Sequence, residues 1–230
     1  MVQKVVRQSL SSQLYESLRL ALMNGQYEPG HRLTIAGLAE DYGTSITPVR
    51  EAIFRLVSER ALEMRAATSV QVPRFSTDQL LEIQAVRVEL EGRAAWEAAG
   101  RVTPQDLEDL RALHARFIAA AASDPARASL LNRDFHFAVL RLSGMPILEG
   151  ICESMWTLIG PFLRIFHVRM PVREIAGDEH KHHELLAALA AGDRERSRRS
   201  MQEDIAWAEP LIRAVGEEQA ANPGRGRARG

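Results

Sequence analysis

Two histidines, a carboxylate and a carboxamide fall on apolar helical stripes in the second half of the chain, and together they can hold a divalent metal. Asn132 and His136 stand at i and i+4, on one face of a helix, beside the stripe Leu131, Phe135, Val139 and Leu142. His182 precedes Leu185, Leu186 and Leu189 at helical spacing, so it points inward with the leucines. Asp204 falls between Met201 and Ala208. Buried polar groups without a partner are costly, and imidazole nitrogens with a carboxylate suit a transition metal such as zinc, nickel, manganese or iron. Each residue alone has a simpler account: an inward histidine is usually a satisfied core residue, and an Asn/His pair can be one hydrogen bond. His180 and His183 flank His182, and a shift in alignment makes either the ligand. His180 is expected to face solvent.

Arg87 adds anion chemistry. It lies between Ile83 and Leu90 on an apolar stripe, and an inward arginine needs a negative partner. Glu91 at i+4 is the structural candidate. The alternative is the carboxylate of a small effector.

A third group is suited to reading DNA. Ile35, Leu38, Ala39 and Tyr42 repeat at helical spacing and end at Gly43, where a left-handed cap is expected. Val49, Ala52, Ile53, Leu56 and Val57 repeat the pattern after Thr47-Pro48, which predicts Thr47 as N-cap and Pro48 as first helical residue. The pair forms a helix-turn-helix, whose second helix enters the major groove by its N-terminal end. Ser45, Ile46, Thr47 and Arg50 occupy that end; a salt bridge to Glu51 or Glu40 is the other use for Arg50.

The surrounding elements place these groups. Leu14, Leu18, Ala21 and Leu22 share a face of a first helix that stops at Asn24-Gly25. Pro29-Gly30 marks a turn, and strands over 61–65 and 69–72 make a wing near Arg65. Beyond Ser76 the chain reads as helices with short joints. Breaks fall at Thr103-Pro104, Ser123-Asp124-Pro125, Ser143-Gly144 and Gly192, with a kink at Gly160-Pro161; the last two helices run over 174–191 and 193–215. Ile147, Ile151, Met155, Leu158 and Phe162 mark the fourth. The fold class is thus mostly α: a winged helix-turn-helix over 1–74, an antiparallel helical bundle over 75–216, and a basic Gly-rich tail over 217–230 that cannot bury a core.

Composition sets limits on function. The chain has 230 residues, 46% hydrophobic and 26% charged, with a formal net charge of -1, ordinary for a globular protein of two domains. Through Arg74 basic residues outnumber acidic ones, and a local basic face is all that phosphate contact requires. Cys152 is the only cysteine, so no intrachain disulfide forms, which suits a reducing, cytoplasmic setting. No apolar run reaches the length of a membrane span. A metal-dependent enzyme is the competing class, but Glu179 and Glu184 sit in no recognisable catalytic motif.

The run Asn24-Gly25-Gln26-Tyr27-Glu28-Pro29-Gly30-His31-Arg32-Leu33, then Leu38-Ala39, then Ser45-Ile46-Thr47-Pro48-Val49-Arg50-Glu51-Ala52, resembles the N-terminal winged helix of GntR-type bacterial transcription regulators. The remainder resembles the all-helical ligand domain of the FadR subgroup. The resemblance implies a homodimer on a pseudo-palindromic double-stranded operator and a small organic-acid effector that releases repression. It also implies a metal held by an Asp and three histidines, at positions that are Asn132, His136, His182 and Asp204 here. Asn replaces the Asp and Asp replaces the last His, so the carboxylate has changed helices, and fewer nitrogens favour harder ions such as manganese or iron. In the family an arginine placed like Arg87, in the context Val86-Arg87-Val88-Glu89-Leu90-Glu91, lines the effector pocket. Where better-known members carry arginines this chain has Ala36 and Ile46, and the wing tip is Ala66-Ala67. Base reading is then expected from Ser45, Thr47 and Arg50, with Ile46 against a thymine methyl and Arg65 on phosphate.

Overall fold

A computed structural model describes residues 9–121, 123–169 and 180–214. The basic tail over 217–230 and the expected helix start at Glu174 lie outside these residues.

Helix α1 (Leu10–Met23) begins at Ser9, whose hydroxyl accepts from the Ser12 amide, and ends at Asn24 with Gly25 at φ 61°. It buries Leu14, Tyr15, Leu18, Ala21 and Leu22. Strand β1 (Arg32–Thr34) leads into α2 (Ile35–Asp41), capped by the Thr34 hydroxyl. Gly43, at φ 59°, turns the chain into α3 (Ile46–Ser58). The latter starts earlier than expected: Ser45, not Thr47, is the N-cap, and Pro48 is the third helical residue. Proline is tolerated there because the first-turn amides lack intrahelical acceptors.

Strands β2 (Glu63–Ala66) and β3 (Ser69–Gln71) form the wing, and β3 lies between β1 and β2 in an antiparallel sheet, with Leu33 and Met64 both opposite Val70. The turn expected at Pro29-Gly30 thus leads into a third strand, made by its pairing with β3. Val49, Ala52, Ile53 and Leu56 of α3 are fully buried against Leu18, Leu22, Ile35, Leu38 and Val70. Burial of Val49, Ile53 and Leu56 contributes roughly 1.5–3 kcal/mol each.

The rest is helical. A capping box of Ser76 and Gln79 starts α4 (Thr77–Ala98). Then come α5 (Pro104–Ala121), α6 (Pro125–Leu142), α7 (Pro146–Arg169), α8 (Lys181–Ala190) and α9 (Arg194–Ala206), with a short helical segment over 209–214. Helix α4 packs on α6, α7 and α9, while α8 is held between α5 and α9.

Helix α7 runs through Pro161, and of the residues that mark it Phe162 is buried and Met155 and Leu158 partly so. Ile147 and Ile151 are exposed, while Leu148, Cys152, Trp156, Ile159, Phe162, Leu163 and Phe166 are buried. Two apolar stripes lie side by side on this helix, so periodicity alone could not choose between them. Gly160 allows α7 to meet the reader domain: an added Cβ would stand 2.5 Å from the Leu22 carbonyl and 2.6 Å from that of Met23.

Candidate metal and effector site and the DNA-reading helix

Three helices deliver the buried cluster. His136 from α6, His182 from α8 and Asp204 from α9 bring one donor atom each to within 4.8 Å of one another, all buried. His136 Nε2 lies 3.0 Å from Asp204 Oδ2, and His182 Nε2 lies 3.5 Å from Asp204 Oδ1. Among the described residues, His182 Nε2 and Asp204 Oδ2 lack a well-formed hydrogen bond. Donors about 2.1 Å from one ion stand roughly 3.0–3.5 Å apart. The spacing and the orphaned atoms therefore fit a divalent cation. Asn132 lines the same small cavity as His136, Asp204 and Arg87.

Helix α4 supplies the groups behind this cluster. Glu91, fully buried, accepts from Arg87 Nε at 2.8 Å, from His136 Nδ1 at 2.7 Å and from Trp156 Nε1 at 3.0 Å. The structural partner expected for Arg87 is therefore present, and the guanidinium also stacks over the Trp156 ring at 4.1 Å. Glu91 accepts from Nε, and among the described residues no hydrogen bond engages the two Nη groups of Arg87, the end that a carboxylate can grip in bidentate fashion. The bond from His136 Nδ1 fixes that tautomer and aims the Nε2 lone pair at the cluster, as carboxylates behind metal-bound histidines do.

Charge follows from these contacts. Burial alone would raise the Glu91 pKa, but Arg87 and His136 outweigh it and hold the carboxyl below its usual range. Burial would also raise Asp204, yet His182 and His136 keep it well below the ordinary value. Burial would lower His136, but the Asp204 and Glu91 carboxylates on either side push it up to about 9. A cation held by the cluster would take the place of the His136 proton. Burial holds His182 down, and it lowers His114 to about 3 and His180 to about 4.

Sequence reasoning missed several members. His114 on α5 is buried, with Nδ1 3.3 Å from His182 Nδ1 and Nε2 3.1 Å from His183 Nε2. Its signal was available, because Leu110 and Phe117 flank it on the apolar stripe of α5. Glu91 had been noted only as a partner for Arg87. His180 does not simply face solvent: half-buried, it caps α8 by accepting the His182 amide on its Nδ1. His183 is exposed and lies outside the cluster.

At the other end of the molecule, Ser45, Ile46, Thr47 and Arg50 are all exposed at the start of α3, with Phe54 a turn further on. Among the described residues Arg50 forms no ion pair with Glu51 or Glu40. Arg65 is engaged within the wing: it pairs with Glu63 at 2.9 Å and donates to Gln71, whose amide donates to the Gly30 carbonyl.

The domains are joined through α6 and α7. Arg133, next to Asn132 on α6, donates to the Asn24 side chain at the end of α1. Arg164 on α7 donates to the Gly25 carbonyl at 3.2 Å, and Arg19 on α1 pairs with Glu153 at 2.7 Å. Helix α6, which carries His136, thus also reaches the reader, and α7 lies between the two.

A winged helix seated on a helical bundle with a buried, ligand-type cluster defines a ligand-responsive, DNA-binding transcription regulator. The model described as "Bacterial regulatory proteins, gntR family" matches residues 10–72, and the FCD domain matches residues 82–206. The chain is 38% identical to the HTH-type transcriptional regulator McbR of Escherichia coli (strain K12) over 201 residues, 87% of this chain and 91% of McbR. It is 26% identical to the HTH-type transcriptional repressor GlaR of the same organism over 205 residues, 86% of this chain and 93% of GlaR. The solved structure of E. coli McbR/YncC superposes with a TM-score of 0.83 at 37% identity, covering 91% of this chain and 99% of that one. The chain belongs to the gntR family of bacterial regulators, with an FCD domain at its C-terminal end. Among the described residues no helix is long and apolar enough to cross a membrane.

Proposed function

We propose that this regulator acts in the cytoplasm as a homodimeric repressor, released from a pseudo-palindromic operator when a small organic acid enters the FCD domain. The observation that carries this reading is that Arg87, Asn132, His136 and Asp204 line one small cavity, while His136 and Asp204 form a buried donor cluster with His182. His136, His182 and Asp204, with the Asn132 carboxamide, hold a divalent cation, and two nitrogens against two oxygens favour manganese or iron over zinc or nickel. The cation supplies a positive, ligand-accepting centre; Arg87 supplies the second anchor for a carboxylate. GlaR, by its name a repressor, supports the direction of control.

Coupling follows from the walls of the cavity. Its free space, about 10 Å³, admits one water-sized group. An acid therefore enters only if the wall formed by Leu163 and Trp207 gives way. Leu163 is one residue from Arg164 and three from Gly160, both seated against the end of α1. Displacing it alters the seat of the reader, so the effector favours a spacing of the two winged helices that the operator does not match. On DNA, Ser45, Thr47 and Arg50 read base edges, Ile46 meets a thymine methyl, and Arg65 reaches a phosphate with the donors that the wing leaves it.

Elemental analysis of the purified chain, followed by thermal shift against a panel of small carboxylic acids, tests the reading. The expected result is one divalent ion per chain, lost in His136→Ala and His182→Ala, and a stabilising acid whose effect disappears in Arg87→Lys. Unchanged metal content in both histidine variants would remove the site assignment.

A further inference from the structure

The two histidines of the cluster are oriented by different partners. His136 Nδ1 faces the Glu91 carboxylate at 2.7 Å. His182 Nδ1 faces a third imidazole, His114, at 3.3 Å, with the two rings edge to face at 70°. His114 is buried and lies on α5, which contributes no residue to the cluster itself. The plane of the His182 ring is set by stacking on Phe135, with centroids 3.9 Å apart and 21° between planes. Stacking leaves open which nitrogen carries the proton.

We infer that His114 is a positioning residue for the metal centre: its Nδ1 accepts the Nδ1–H of His182 and so presents the His182 Nε2 lone pair to the cation. This inference rests on the metal-binding reading above. The proton count fixes the rest of the chain. A neutral His114 that accepts on Nδ1 carries its hydrogen on Nε2, and that nitrogen lies 3.1 Å from His183 Nε2. His183 must then accept on Nε2 and turn its own N–H to solvent, where it is exposed. Three imidazoles thus form one donor direction, from the buried ligand to the surface. A neutral imidazole is also a weaker acceptor than a carboxylate, so His182 is the less basic of the two ligands, and its protein support is the one that can be tuned independently of Glu91.

The test uses the full-length chain loaded with zinc, which is diamagnetic, and two substitutions. In nitrogen–proton correlation spectra of the wild type, His182 should carry its proton on Nδ1. In His114→Phe, which keeps the aromatic packing with Phe117 and Phe135 but removes the acceptor, zinc affinity measured against a competing chelator should fall about 10–100-fold. His114→Asn places an amide oxygen near the position of Nδ1 and should restore affinity to within a fewfold of the wild type. A role in packing alone would give the reverse ranking, with Phe tolerated and Asn not, and that ranking would overturn the inference. Equal affinity in wild type and His114→Phe, or a His182 proton found on Nε2 in the zinc-loaded wild type, would also overturn it while leaving the metal site standing. A wild type that takes up neither zinc nor manganese would overturn the metal-binding reading itself, and this inference with it.

Discussion

His136 donates from Nδ1 to Glu91 Oε2 at 2.7 Å, although the two residues are 45 positions apart and on different helices. That bond ties the candidate metal ligand to the same carboxylate that neutralises Arg87. Glu91→Gln is therefore expected to act twice. It leaves a buried guanidinium without its counter-charge, which costs about 3–5 kcal/mol, and it loosens the orientation of His136, which weakens metal binding about 10–100-fold. Chemical denaturation and chelator competition read the two effects separately. Loss of stability with unchanged metal affinity would mean that Glu91 serves Arg87 alone.

Acid should weaken the metal-free protein. His114 and His180 are held at about 3 and about 4, below the roughly 6.5 of an unfolded histidine. Between these limits the unfolded chain binds protons that the folded chain refuses, so stability falls as pH drops below 6.5. His136, raised to about 9, has the opposite sign: its contribution is full below 6.5 and fades as pH rises through 9. Melting in chelator should therefore peak near neutrality. His180→Asn keeps a side-chain acceptor for the His182 amide and should flatten the acid limb; an unchanged limb would contradict this assignment.

The reader predicts an order of effects. Arg50 is exposed at the leading end of α3, whereas Arg65 is partly committed to Glu63 and Gln71. Arg50→Ala should cost about 1–3 kcal/mol of specific binding and relax the preference at one base pair. Arg65→Ala should weaken specific and nonspecific DNA alike and flatten the salt dependence. Gel-shift titrations at several salt concentrations decide between these, and the opposite ranking would put the wing rather than α3 in the groove.

Strain at the end of α3 offers a stability test. Arg60 has φ 62°, the one non-glycine residue with positive φ among those described. A left-handed L-residue costs roughly 1–2 kcal/mol. Arg60→Gly should raise the melting temperature of the reader by a few degrees without altering operator choice.

Local chemistry explains what the sequence made legible. The reader could be placed because caps, turns and short periodic runs lie within a few residues of one another: Gly43 does take the left-handed conformation expected of it. Strand β1 was missed because three residues become a strand only by pairing with β3, far along the chain. In the site, His136, His182 and Asp204 were each legible as inward polar residues, and the structure brings them together. Glu91 was legible only as an i+4 partner, since its bonds to His136 and Trp156 are made across the bundle. His114 carried the same inward signal as His182 and was passed over.

The most direct test is the affinity of the full-length chain for the DNA it selects from sheared genomic fragments, measured with manganese while small carboxylic acids are titrated in. Wild type should bind a pseudo-palindromic site and lose affinity at least fivefold with one acid, while Arg87→Lys and His136→Ala bind the same site and do not respond. Recovery of no selected site, or an identical response in Arg87→Lys and wild type, would contradict control of the reader from this cavity.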